Sequence, residues 1–294
     1  MQKIRRVHPL ALTVSFLLLI VLLFGMTFAA LHQGDKVRFG YTAGAHAFGA
    51  AHLLSASSSQ YVCTAYSTEE VLLRALDNDL LDAALLPVES ALKLPEDVYA
   101  LHGVFSVLDL LAVSSDETML DIGSLSGRVL ILPEKLQGSK EEKMLNELLL
   151  EADAAGYTIR FAADCVKTYQ QTPGSVMLLP MDDLEAAVKQ DATLSVRFRL
   201  SQQWRNLLLS TAPAGYCVVY RREIAGTNTF ISFEKALRSS MTYADRKRKK
   251  TIAMAVGCGL FESEMPADLL IDQMSFSYLE GDEMLSSLKA YQTL

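Results

Sequence analysis

The chain has no Cys-x-x-Cys pair: its four cysteines, Cys63, Cys165, Cys217 and Cys258, are scattered over 294 residues. That spacing argues against a structural zinc site. Each cysteine lies in an apolar context such as "YVCTAY", "GYCVVY" or "AVGCGLF", where a buried thiol and a disulfide are equally natural, so pairing stays open. Positive charge is also in deficit. With 27 Lys and Arg against 34 Asp and Glu the net charge is -7, which leaves no long-range attraction for nucleic acid or an anionic membrane face. The one basic run, Arg246 to Lys250, reads as the solvated face of a helix. The Gly-x-Gly-x-x-Gly dinucleotide fingerprint is missing. In "RFGYTAGAHAFGAAHLL" (38–54), Gly44 and Gly49 have the spacing of a P-loop, but Ala50 and Ala51 stand where that loop needs Lys and then Ser or Thr. "SALK" (90–93) has the Ser-x-x-Lys spacing of penicillin-binding enzymes without their Lys-Thr-Gly and Ser-Asp-Asn partners. His46 and His52 fall on different faces of a helix with no third ligand in view, so no metal and no cofactor are expected.

What the chain does have is a long apolar start. Lys3, Arg5 and Arg6 precede an uncharged, Leu-rich stretch from Val7 to about Leu31, and the first acidic residue is Asp35. Residues 1–34 therefore read as a signal peptide or signal anchor, with the body exported. Thr27 and Ala29 are small enough for cleavage after Ala29, and no Cys near the end of the run accepts a lipid. The body is expected at the extracytoplasmic face of the membrane, anchored through this helix, or secreted or periplasmic if the leader is cleaved.

Beyond the leader, strand and helix patterns alternate. "KVRFGY", "QYVCTAY" and "LDAALLPV" read as strands, separated by a helix from Phe48 to Ser55 and by "STEEVLLRALDND", where Ser67 and Glu70 suggest a capping box. A second βαβ rhythm follows. "GRVLILP" and "YTIRFA" are strands flanking a helix from Lys140 to Gly156, and "GSVMLLP" leads into "MDDLEAAVKQ". After "GYCVVY" the chain turns mainly helical, with too few strands for a third sheet. This succession predicts parallel sheets covered by helices, with ligands at the strand ends.

The order "VRFGYTAGAHAFGA", "LDNDLLDAALLP" (76–87), "GRVLILPEKLQGS", "VMLLPMDDL" and "GYCVVYRREI" resembles the type II periplasmic substrate-binding proteins of ABC importers, in the branch for sulfonates, nitrate and thiamine-precursor pyrimidines. The resemblance implies an α/β, two-lobed, periplasmic-binding-protein-like (Venus-flytrap) fold. Lobe one would take residues 35–110 and 213–294, and lobe two 111–212. It implies a small molecule held in the cleft by Thr42, Ala43, Gly44 and His46 of the first loop, Pro87, Glu89 and Ser90 in lobe one, Gly138, Ser139, Met181 and Asp182 in lobe two, and Tyr216 near the return crossing. The implied partners are that ligand and an ABC transporter permease and ATPase. Relatives often carry Pro-Glu-Pro where this chain has Met181 and Asp182 after Pro180.

Two other classes compete on the same scaffold. A membrane-tethered sensory or binding module would explain the long leader without a lipid site. An enzyme would use His46 as acid or base with Glu89 and Asp182. The candidate loops carry the acids Glu89, Asp182 and Asp183, and Ser139 with Glu142 forms a capping-box pattern, leaving Lys140 as the nearby cation. With Tyr41, Phe48, Trp204 and Tyr216 as possible flat surfaces, this composition suits a neutral or cationic ring better than a small oxyanion.

Overall fold

The computed structural model describes residues 36–56, 58–262 and 278–294. The leader and its cleavage point lie outside the described residues. Among those described, no helix is long and apolar enough to cross a membrane.

The first sheet starts with β1 (Val37–Thr42), β2 (Tyr61–Tyr66), β3 (Ala83–Pro87) and β4 (Tyr99–Val107). β1 lies between β2 and β3 and is parallel to both, with Phe39 opposite Cys63 on one side and Ala83 on the other. Its neighbour β3, "AALLP", is buried along almost its whole length, as a strand covered on both faces must be. The helices between these strands are α1 (Ala51–Ser55), α2 (Glu69–Asp77) and α3 (Val88–Ala91). The cap of α2 differs from the expected Ser67. The Thr68 hydroxyl accepts the Val71 N–H at 3.3 Å, one residue later, and Leu72, Ala75 and Leu76 form the buried face.

The second sheet holds β5 (Leu111–Ser114), β6 (Val129–Pro133), β7 (Thr158–Ala162), β8 (Val176–Leu179) and β9 (Ser195–Arg199), in the order β7-β6-β8-β5-β9. Its helices are α4 (Lys140–Glu151), α5 (Cys165–Gln170), α6 (Met181–Gln190) and α7 (Leu200–Leu208). Helix α4 stops at Glu151 rather than at Gly156, because Asp153 takes a left-handed φ of 51° and turns the chain toward β7. The chain then re-enters the first sheet. β10 (Ala214–Arg221) inserts antiparallel between β3 and β4, and α8 (Asn228–Arg246), α9 (Arg248–Gly257) and α10 (Gly281–Thr293) follow it. Arg246 to Lys250 spans the junction of α8 and α9. The thiols of Cys63, Cys165, Cys217 and Cys258 are all free.

The two sheets are joined where β4 runs into β5 and where α7 returns to β10. These crossings are tied together. The Leu108 N–H donates to the Pro213 carbonyl at 2.6 Å, and a Cβ on Gly215 would sit 2.8 Å from the Val107 carbonyl carbon, so only glycine lets the strands approach this closely. Asp109, on the first crossing, accepts from Arg199 Nε at 2.6 Å, from the Ser201 N–H at 2.9 Å and from the Ser201 hydroxyl at 2.8 Å. The Asp109 and Arg199 side chains are 6% and 10% exposed. Removing one partner of a buried, hydrogen-bonded ion pair leaves an uncompensated charge and costs about 3–5 kcal/mol. Asp109→Ala is therefore expected to lower stability by that amount in urea titration, and a loss under about 1 kcal/mol would contradict the role given to this pair.

Candidate functional site

Strand β1 delivers the chain to the rim of the first sheet, and Gly44, with φ 148°, turns it into a short 3-10 stretch, Ala45–Ala50. Ala45, Ala47, Phe48, Gly49 and Ala50 are buried there, which anchors the loop by packing and leaves His46 as its polar group. The imidazole is fixed on three sides. Nε2 lies 3.0 Å from the Thr42 hydroxyl and 3.1 Å from the Thr42 carbonyl, and the ring stacks on Tyr216 with centroids 4.1 Å apart and planes 8° from parallel. The other nitrogen, Nδ1, is buried without a hydrogen-bond partner and lies 3.8 Å from Asp182 Oδ2.

Asp182 comes from the other lobe, in the first turn of α6. Its Oδ1 accepts the Ala45 N–H at 2.7 Å, so a carboxylate of the second lobe occupies a backbone donor of the first. Burial pushes this carboxyl up, but the neighbouring His46 ring, the Ala45 N–H and the Lys135 ammonium outweigh it and hold Asp182 below the ordinary carboxylate value. A depressed carboxylate contributes stability that is present above its ordinary pKa and is lost as pH falls through the lowered one. The tether is thus intact at neutral pH and is released only in acid. Asp183, the next residue, is turned away to Lys135 at 2.8 Å.

Between the lobes lies a cavity of about 320 Å³. The first lobe contributes Pro87, Val88, Glu89, Ser106 and Val107; the second contributes Ser139, Lys140, Glu141, Pro180 and Met181; Leu108, Asp109 and Gly215 come from the crossings. Ala45, His46, Asp182, Tyr216, Arg199 and Tyr291 complete the wall. At Tyr291, on α10, a second contact spans the cleft: Lys140 Nζ sits 5.1 Å from the ring centroid and donates to the Tyr291 carbonyl at 3.1 Å. Among the described residues no group of three or more His, Cys, Asp or Glu converges to hold a metal.

Of the residues singled out in the sequence, His46, Pro87, Glu89, Ser139, Met181, Asp182 and Tyr216 line this cavity. Thr42 and Gly44 stand behind it, Thr42 holding His46 and Gly44 making room for it, and Ala43 adjoins them in the same loop. Ser90 donates to Glu69, away from the cavity, and the Gly138 N–H donates to Glu142 at 2.5 Å as part of the start of α4. The aromatics are a correction. Tyr41, Phe48 and Trp204 are buried in the cores, with the Trp204 N–H bonded to Ser210, so of the four expected flat surfaces only Tyr216 faces the cleft. Asp109, Arg199, Glu141 and Tyr291 carried no local signal in the sequence.

No protein-family model and no curated protein matches the sequence. Solved structures do. An ABC transporter protein from Parabacteroides distasonis aligns with TM-score 0.65 and 19% identity over 88% of this chain and 92% of its own. The periplasmic aliphatic sulphonate binding protein SsuA from Escherichia coli aligns with TM-score 0.58 and 15% identity over 88% and 86%. A periplasmic sulfonate-binding protein from Methylobacillus flagellatus gives 0.55 and 12% over 86% and 81%.

The cleft geometry is sensitive to Gly44. A Cβ there would lie 2.8 Å from the His46 ring and 3.0 Å from Asp182 Oδ1, at a φ that side chains rarely adopt. Gly44→Ala is expected to cost about 1–3 kcal/mol, whereas Gly257→Ala, with open space around its Cβ, should not destabilise. Equal effects of the two in thermal melts would remove the special role of Gly44. Two sheets of this order, joined by paired crossings around one cleft and matched in these neighbours, identify the chain as having the two-lobed, periplasmic-binding-protein-like α/β fold.

Proposed function

We propose that the protein is an extracytoplasmic solute-binding protein that captures a small molecule between its lobes and delivers it to the permease and ATPase of an ABC importer. The observation that carries this reading is the cavity itself. It is walled by both lobes and floored by the crossings, so a solute inside it touches two bodies at once. Contacts of that kind are completed only when the lobes close, which couples occupancy to shape. Its volume of about 320 Å³ lies at the small end of ligand sites and fits a compact solute. The neighbours named as ABC import or periplasmic binding components share this architecture, and the apolar leader, outside the described residues, supports export.

In this reading His46, Pro87, Glu89, Ser139, Met181, Asp182 and Tyr216 contact the solute, while Thr42, Ala43, Gly44, Ser90 and Gly138 shape the loops that carry them. His46 acts in binding rather than turnover. Both of its nitrogens face protein groups, Thr42 and Asp182, and its ring is stacked against Tyr216, so it is placed as a fixed wall element.

Native mass spectrometry of the protein purified from its own host is expected to show a small-molecule adduct released on unfolding. Adding that molecule back should raise the melting temperature, because a ligand of the folded state stabilises it by mass action. No shift at saturation would contradict a solute site.

A further inference from the structure

We infer that helix α10 is a latch on the cleft: rooted on the first lobe and the crossings, it reaches the second lobe with its last turn, and the release of Tyr291 from Lys140 opens the cavity to solute. This rests on the cleft being a solute site. The root is made of several contacts. Ahead of the helix, Leu279 exchanges two backbone hydrogen bonds with Val104 of the edge strand β4, at 2.9 and 3.0 Å, and Glu280 accepts from Arg238 of α8 at 2.7 and 3.1 Å. Within the helix, the Ser287 hydroxyl donates to the Ala212 carbonyl on the second crossing at 2.7 Å, and Leu288 is buried in the same cluster as Cys217 and Val219 of β10.

The tip is held differently. Ala290 and Leu294 are only partly buried where they meet the core of the second lobe. Lys140, at the start of α4, reaches back across the cleft: its Nζ donates to the Tyr291 carbonyl at 3.1 Å and lies 5.1 Å from the ring centroid. Carbonyls in the last turn of a helix have no intrahelical N–H to accept, and a cation beside them complements the helix dipole. For α4 itself the same cation is misplaced. It occupies the first helical position, where negative charge is favoured and where Glu141 and Glu142 follow. A side chain that works against its own helix and serves the end of another is placed for the contact between the lobes.

Tyr291 joins the two roles. It is 9% exposed and belongs to the first lobe's core, and it also forms part of the cavity wall. Its hydroxyl is driven up by burial first and then by Glu89 of α3 and Glu141 of α4, carboxylates of opposite lobes. On the α6 side the lobes meet through fully buried residues, with Leu184 and Ala187 in one cluster with Phe48 and Phe261. On the α10 side the half-buried Ala290 and Leu294 and the Lys140 ammonium carry the contact. Parting the lobes there exposes less apolar surface, so this is the side that yields.

The test is access to the cavity in the full-length protein, read without any solute. Ser106→Cys puts a thiol on the cavity wall, and its modification by methyl methanethiosulfonate is followed by mass spectrometry of the peptide that carries it, apart from the native thiols. In that background Lys140→Met, which removes the ammonium and keeps the apolar stem, is expected to raise the modification rate at least about fivefold. Lys140→Arg, still a cation that can donate to the carbonyl, should bring the rate back to within about twofold of the parent. Lys143→Met, on the exposed side of α4, should leave it unchanged. Hydrogen exchange in Lys140→Met should be faster in α10 alone. An unchanged modification rate in Lys140→Met would overturn the latch, and so would a rise accompanied by faster exchange throughout the second lobe, which is general loosening. Neither result bears on the adduct measurement, by which the solute-binding reading stands or falls separately.

Discussion

The Asp182 carboxylate on the Ala45 N–H, at 2.7 Å, is the contact around which the cleft is organised. It ties the second sheet's α6 to the first sheet's opening loop, and it can form only because Gly44 leaves no Cβ in the gap between His46 and Asp182. The stacking of His46 on Tyr216 then closes the wall. A hydrogen bond to a charged group contributes about 1.5–3 kcal/mol net, and the second clasp, Lys140 over Tyr291, is a cation–π contact of about 0.5–2 kcal/mol. These two contacts act beside an apolar seam, in which Leu184 and Ala187 of α6 belong to one buried cluster with Phe48 and Phe261, and beside the Lys189–Glu262 ion pair at 3.3 Å. The crossings are different. There the buried Asp109–Arg199 pair, the Leu108–Pro213 bond and the close approach at Gly215 make a fixed base on which any lobe motion turns.

The neighbours named for sulfonates share the architecture. A fold sets where the cleft lies, and the side chains at its rim decide what enters it. In this chain the "LLPMDDL" segment puts a carboxylate in the first turn of α6, on the wall of the cleft. An acid in the first turn of a helix is locally favourable for the helix dipole. Here it also reaches across the cleft, so one residue serves the helix and the lobe contact together.

Much of this was legible along the chain. Runs such as "AALLP" and "VMLL", apolar at every position, could only be strands buried on both faces. The strand-end rule then pointed to the opening loop that carries His46, and the family resemblance, by matched position, to Pro87, Glu89, Met181 and Asp182. Other elements were hidden for physical reasons. β9, "SVRFR", alternates polar residues on a half-buried strand and has no apolar run to announce it. The α2 cap was misplaced by one residue because Ser67 and Thr68 are equally able to cap, and the end of β2 decides between them. Helix α4 looked longer than it is because alanines continue its pattern past the turn at Asp153. Tyr41, Phe48 and Trp204 looked like cleft aromatics, but the packing of their own lobes claims them. Asp109, Arg199 and Tyr291 meet only through long-range contacts, which no local pattern reports.

The central claim, that Asp182 tethers the lobes across the cleft, is tested most directly by an interlobe distance measured without solute. Spin labels attached at exposed Val62 on β2 and Leu150 on α4, through non-cysteine chemistry that spares the native thiols, report that distance by pulsed dipolar spectroscopy. The account predicts a narrow distribution in the unsubstituted protein at neutral pH, and a broader one with longer distances in Asp182→Ala. The same distribution in both would show that the lobes are held by something else.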